Sequence, residues 1–312
     1  MAIRGIPKNV LDNLEASALR HDRSVEAEAR QALSAWVEPI ALEAERSKRS
    51  LEVGLRLMRL LEQLNDSKTG EVIRPSQIAE QIGESRASEV ENWFLGREEP
   101  TFAQLNTLAK VFAADPDWLK HGQREMYSVE HQQLSENTIE AAKWMVEWEK
   151  GEAVAAVHLL REASKTGSLL IVKESERRQF KTFNPGIHLS EVIGNGGESS
   201  LAHLWVTLRL LYKRHRRGNA HFMVFSYITQ PAAVKQLMSG QVSAVNIVRD
   251  SSKEPWWEDV WDSNMYGKNS YWPGWLQLCE RIDQVVSKNA SLAEQMEAIR
   301  LGKLSVDLTP SV

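Results

Sequence analysis

Side chains able to do chemistry are scattered through the second half of the chain. Ser199, Ser200, His188 and His203 are the types that form a nucleophile and its base. No Gly-x-Ser-x-Gly elbow accompanies them to set a serine on a sharp strand-to-helix turn. Gly194-Asn195-Gly196-Gly197 has the glycine content of a phosphate cradle, but it matches neither a Walker A loop nor a GxGxxG fingerprint and reads as a turn. His158, His188, His203, His215 and His221 are too dispersed to suggest a metal site. The one cysteine, Cys279, excludes an intramolecular disulfide and a CxxC-type zinc site. No acidic cluster has metal-binding spacing. The expectation is therefore a protein that is not an enzyme and carries neither cofactor nor metal.

Two features of the same half point to partners instead. Lys213-Arg214-His215-Arg216-Arg217 sets five basic side chains at the end of a helical pattern. They serve either to balance the negative end of the helix dipole or to touch DNA or an acidic partner. Eight of the eleven tryptophans follow residue 140, among them Trp256, Trp257, Trp261, Trp272 and Trp275. Such a cluster is either core packing or an aromatic interface or pocket.

Composition narrows the classes further. The chain has 312 residues, with 38 Lys and Arg against 42 Asp and Glu, a net charge of −4. Residues 1–50 carry eight of each sign, residues 51–125 nine basic and thirteen acidic, and the remainder twenty-one of each. A protein that coats nucleic acid by bulk charge is excluded, so any DNA contact must come from a few well-placed cations. No apolar run approaches the roughly 18 residues of a membrane span, and the first residues, MAIRGIPKNV, lack the apolar stretch of a signal peptide. A cytoplasmic protein of several domains, with no membrane contact, is expected.

The elements that would position such cations begin at the N-terminus. Residues 2–6 form a short extended candidate stopped by Pro7, and Val10, Leu11, Leu14 and Ala18 then recur at helical spacing. His21-Asp22 breaks the pattern, Ser24 has the chemistry of an N-cap, and Ala29, Ala32, Leu33 and Trp36 face a second helix to about Val37. One strand and two helices cannot bury a core alone and call for a partner chain. The string Ile-Arg-Gly-Ile-Pro followed by Asp-Arg-Ser-Val-Glu-Ala-Glu-Ala-Arg resembles the ribbon-helix-helix family, most closely its FitA-type antitoxin branch. In that family two strands pair across a dimer and the ribbon enters the DNA major groove. The resemblance implies that Arg4 points at base edges. It also implies that Arg23 and Ser24, at the second helix's N-terminus, hold a phosphate through backbone N–H groups. The alternative is a dimerisation module that does not read DNA.

Past a charged linker helix at 39–50, Leu51, Leu55, Met58, Leu60, Leu61 and Leu64 define an amphipathic helix, and NDSKTGEV at 65–72 a polar loop. The following string, IAEQIG, SRASEVENWFLG, a proline, LAKVF and DWLKHG, resembles the lambda-repressor/Cro-type helix-turn-helix over about seventy residues. That family implies five helices, with Ser85–Leu95 as the recognition helix in the major groove. Val90, Trp93 and Phe94 must face inward, which leaves Arg86, Ala87, Ser88, Glu89 and Asn92 outward. Arg86, Ser88, Glu89 and Asn92 are the base-reading candidates: Arg reads guanine, Asn adenine, and Glu accepts from cytosine. Arg74, Gln77 and Arg97 are placed for phosphate contacts. Glu84, Glu89, Glu91, Glu98 and Glu99 surround the same helix and oppose phosphate, so a protein-binding role for this domain is the alternative.

In the C-terminal half, Ser135 is a candidate cap for a helix to Glu149, and a second helix is expected over Glu152–Ser164. Leu169–Val172, 221–225 and Val242–Val248 read as strands, Ser200–Arg217 as a helix, and Gly274–Ser287 and Leu292–Leu301 as two more. The fold class is multidomain: ribbon-helix-helix (1–38), linker helix (39–50), all-α helix-turn-helix (51–125), helical connector (126–166) and an α+β domain (167–312). The resemblances imply a bacterial, nucleoid-associated regulator that binds a palindromic double-stranded operator as a homodimer and represses by occluding RNA polymerase. The competing class is an antitoxin or adaptor whose C-terminal domain binds a protein partner.

Overall fold

A computed structural model describes residues 5–66, 72–148, 154–176, 178–216 and 222–304, with the backbone alone at 36–47. The described residues fall into two compact units, one drawn from 1–58 and 74–101, the other from 59–73 and 102–312.

In the first unit, helix α1 (Lys8–Arg20) starts directly after Pro7, and Asp22 turns the chain with φ 51°. Helix α2 (Val25–Asn65) then runs 41 residues as one helix, of which those from Arg59 onward belong to the second unit. The sequence suggested three successive helices there. Residues 41–49 (ALEAERSKR) consist mostly of strong helix formers with no capping glycine, so the helix propagates through them and retains Pro39 in its interior. Helices α3 (Pro75–Ile82) and α4 (Ala87–Phe94) complete the unit, joined through Gly83, whose φ of 81° is the left-handed geometry a helix C-terminus favours.

The second unit is built on a mixed six-stranded sheet of β1 (Val129–His131), β2 (Val154–Glu162), β3 (Leu169–Ser175), β4 (Phe180–Asn184), β5 (Met223–Thr229) and β6 (Ser252–Lys253). The strand order is β1-β4-β3-β2-β5-β6, with β1–β4 and β2–β5 parallel and the other pairs antiparallel. Before the sheet lie α5 (Phe102–Val111) and α6 (Pro116–His121), the latter capped by Asp115, which accepts from the Asp117 and Trp118 N–H groups. One face of the sheet, through Val157, Leu159, Ile171 and Val224, packs in one large core with residues of α7 (Thr138–Val146), α8 (Asn195–Arg216), α11 (Trp256–Asp259), α12 (Trp275–Lys288) and α13 (Ala290–Leu301). The other face, through Leu160, Leu170, Val172 and Tyr227, packs with α9 (Pro231–Met238) and α10 (Ala244–Asp250).

Three sequence expectations change here. Residues 152–164 do not form a helix; they carry β2, with Val154, Ala156, Val157, His158, Leu159, Leu160 and Arg161 all buried. A central strand covered on both faces loses the alternation that would betray it and reads like a buried helix. Residues 242–248 do not form a strand. Ala244 and Ile247 sit three apart on the inward side of α10, a helical spacing that loose alternation concealed. Asn137 rather than Ser135 caps α7, accepting from the Ile139 and Glu140 N–H groups, while Ser135 donates to the Glu140 carboxylate at 2.7 Å. The tryptophan cluster resolves as core: Trp256, Trp257, Trp272 and Trp275 are buried, and Trp272 meets Trp275 edge-on at 4.7 Å.

Candidate nucleic-acid interface

The turn between α1 and α2 is held by one carboxylate. Glu28 is buried and accepts from Ser17 Oγ and from His21 Nδ1, both at 2.8 Å, with Arg23 Nη1 at 3.7 Å. The hydrogen bonds from His21 and Ser17 hold its carboxyl below the ordinary value. Ser24 caps α2, its Oγ accepting from the Ala27 N–H at 3.2 Å. The free N–H groups of the first turn and the Arg23 side chain therefore lie at one exposed corner, the arrangement that suits an anion. Glu26 is exposed in that same first turn and opposes the anion. Arg4 lies outside the described residues. The sequence reading missed Glu28 as the latch, although its spacing from Ser24 is one of a helix's first turn.

Helices α3 and α4 display a second set of polar groups. Arg74 precedes α3 with an exposed side chain, and Gln77 Oε1 accepts its backbone N–H at 2.9 Å, so Gln77 is partly engaged in capping. Val90, Trp93 and Phe94 are buried, as their spacing required. Arg86, Ser88 and Glu89 are exposed; Arg86 precedes the first helical residue rather than lying within the helix. Asn92 is half-buried, and its Nδ2 donates to Glu98 Oε1 at 3.1 Å. The Asn92 carbonyl also accepts from the Arg97 N–H, which closes the turn and leaves the Arg97 side chain exposed.

What holds α4 in place is a glycine pair. A Cβ on Gly54 of α2 would come within 2.8 Å of Gly96 N and 3.0 Å of Trp93 O, so the end of α4 lies directly on the α2 backbone. Gly96 itself has φ 66° and faces the Leu51 Cα. Arg49 adds an ion pair to Glu99 across the same junction. No side-chain pattern in the sequence announces this contact, because its signature is the absence of two side chains.

The C-terminal candidates are more engaged than their sequence suggested. Lys213, Arg214 and His215 are half-buried in the last turn of α8, Lys213 donates to the Arg300 carbonyl at 2.9 Å, and Arg216 alone of these is exposed. Arg217 and His221 lie outside the described residues. Asn195-Gly196-Gly197 is not a turn but the first turn of α8, and Gly196 and Gly197, with Lys165, His188 and Ser190, border a cavity of about 610 Å³. Ser200 donates to the Gly196 carbonyl, and His188 Nδ1 lies 3.4 Å from Ser168 Oγ rather than against Ser200. Among the described residues, no group of three His, Cys, Asp or Glu is placed to hold a metal, and no helix is long and apolar enough to cross a membrane.

Comparison with known proteins found no curated protein and no solved structure that matches the chain. Residues 1–37 match the family described as antitoxin FitA-like, ribbon-helix-helix, and the N-terminal module of the chain is accordingly of ribbon-helix-helix type.

Proposed function

We propose that this protein is a site-specific DNA-binding transcriptional regulator, a dimeric repressor of phage, plasmid or toxin–antitoxin type with no catalytic activity of its own. The observation that carries the reading is the ribbon-helix-helix match of residues 1–37, whose family pairs two ribbons and places them in the major groove. Arg4 would read base edges, and Arg23 with the N–H groups after Ser24 would hold a phosphate. The exposed corner at α2 supports that second role. Helices α3 and α4 would act as a helix-turn-helix. Arg86, Ser88, Glu89 and Asn92 would then face base edges, and Arg74, Gln77 and Arg97 the phosphates on either side. The inward Val90, Trp93 and Phe94 and the outward polar residues support this assignment.

A second reading is an antitoxin-like adaptor that neutralises a protein partner through its C-terminal half. The acidic side chains Glu89, Glu91, Glu98 and Glu99, all exposed around α4, oppose phosphate and favour this reading by weakening the DNA-binding one. Selection from genomic fragments with the purified protein, followed by footprinting, separates the two. An enriched palindrome is expected. Failure to enrich any sequence at moderate salt, together with tight copurification of a small second protein, would establish the adaptor instead.

A further inference from the structure

Helix α2 has two apolar faces, and the single chain uses only one. Ser50, Val53, Gly54 and Leu57 are buried toward the end of α4. Leu51 lies at the edge of that contact, its Cδ2 3.0 Å from where a Gly96 Cβ would be, and Leu55 and Met58 lie beyond it; the three keep 51%, 71% and 38% of their surface exposed. At 3.6 residues per turn they form one stripe, Leu55 lying about 40° and Met58 about 20° from Leu51.

That stripe is in phase with the ribbon-helix-helix module. Leu33 lies 18 residues before Leu51, which is five complete turns, and it too is exposed, at 47%. Leu33 belongs to a set, with Ile6, Val10 and Leu11, that a lone module of this size cannot bury. A second copy covers such a set in ribbon-helix-helix dimers. In a two-fold dimer the two α2 helices are related by the axis that also relates the paired ribbons, so a stripe that faces this axis meets its own copy. Since α2 is helical from Val25 to Asn65 with Pro39 inside it, the face it turns to its twin at Leu33 returns, at 3.6 residues per turn, at Leu51, Leu55 and Met58.

We propose that the homodimer does not end at the ribbon-helix-helix module. The two α2 helices pair in parallel through Leu51, Leu55 and Met58, so that the dimer carries its two α3–α4 pairs on a shared stem. This rests on the dimer proposed above, and the occupant of the stripe is a second copy of this chain. A parallel two-fold pair brings each residue of the stripe against its own twin, as coiled-coil seams do.

Cysteine cross-linking of the full chain tests it, because Cys279, the one native cysteine, is buried. Leu33→Cys, Leu51→Cys, Leu55→Cys and Glu52→Cys variants are treated with a short bismaleimide and their mass followed by sedimentation. Covalent dimer is expected at positions 33, 51 and 55, and at least about fivefold less at position 52, a helical step of 100° away. Leu55→Glu should raise the dimer dissociation constant about tenfold or more. Cross-linking at position 33 alone, in a chain that sediments as a dimer, overturns the stem and leaves the ribbon-helix-helix dimer standing. A monomer that cross-links nowhere overturns both. Labelling of Leu55→Cys that is blocked only when operator DNA is added assigns the stripe to DNA and overturns the stem.

Discussion

Asn92 shows how a single side chain can be the right type in the right place and still be occupied. Its amide N–H is held by the Glu98 carboxylate at 3.1 Å, a charge-assisted bond that an adenine would have to displace in the proposed base-reading role. Asn92→Ala is expected to lower specific affinity by about 1–3 kcal/mol, the span of one bidentate base contact. Glu98→Ala should act in the opposite direction, since it frees the amide and removes a negative charge beside the duplex. Titrations of matched and mismatched duplexes check both, and tighter binding by the alanine variant at position 92 would remove it from the reading surface. A second residue carries a pH signature. His158 is buried in the sheet, stacked on Phe225 at 5.6 Å, with Tyr227 Oη at 3.2 Å and Glu174 Oε2 at 3.1 Å. Burial pushes its imidazole below the ordinary 6.5, against the pull of Glu174. Below 6.5 the unfolded chain takes up a proton that the folded chain refuses, so stability falls as pH falls. Denaturant unfolding at about pH 7 and pH 5.5 should show that fall, and His158→Gln should make it shallower. A variant with an unchanged slope would assign the acid sensitivity to other groups.

At the scale of elements, the junction of α2 with α4 depends on two residues that have no side chain. A methyl on Gly54 would sit 2.8 Å from Gly96 N, and the neighbour it strikes is backbone, which cannot rotate aside. Gly54→Ala is expected to cost about 1–3 kcal/mol, as overpacking does. Thermal unfolding measures that cost, and because α4 is displaced, DNA affinity should fall with it. An unchanged melting temperature would mean that α2 and α4 are not in contact there. Elements whose ends carry their own chemistry were legible beforehand: α1 after Pro7 and α2 at Ser24. Elements defined by their surroundings were not. The stretch that forms β2 has the composition of a helix, and its partners β3 and β5 come from residues 169–175 and 223–229. Burial on both faces, rather than propensity, makes it a strand.

At the scale of the whole molecule, the first unit exposes what a dimer would cover. Ile6, Val10, Leu11 and Leu33 remain in water in the single chain, at 37%, 42%, 38% and 47% exposure. A charge placed among them opposes pairing through its desolvation cost. Leu33→Glu should therefore sediment as a monomer at concentrations where the natural chain is dimeric, and its operator affinity should drop at least about tenfold, one half-site's contacts being lost. Equal mass and equal affinity for the two proteins would count against the regulator reading altogether. The charge arithmetic belongs to this scale too. With a net charge of −4, affinity must rest on a few local cations, so its decline with salt should be correspondingly modest.

The sequence by itself determined the parts of this protein that are written locally. The Ser24 cap, the turn at His21-Asp22, the ribbon-helix-helix motif and the inward Val90, Trp93 and Phe94 follow from residue type and spacing over a few positions. Only the tertiary structure decided the parts that depend on what lies opposite. It made 154–162 a central strand and 244–250 a helix, put Trp256, Trp257, Trp272 and Trp275 in the core, and set Gly54 on Gly96. It also left Leu51, Leu55 and Met58 in the open. The physical reason is the range of the forces. Capping and turn hydrogen bonds act between near neighbours in sequence, whereas burial is set by contacts with residues far along the chain.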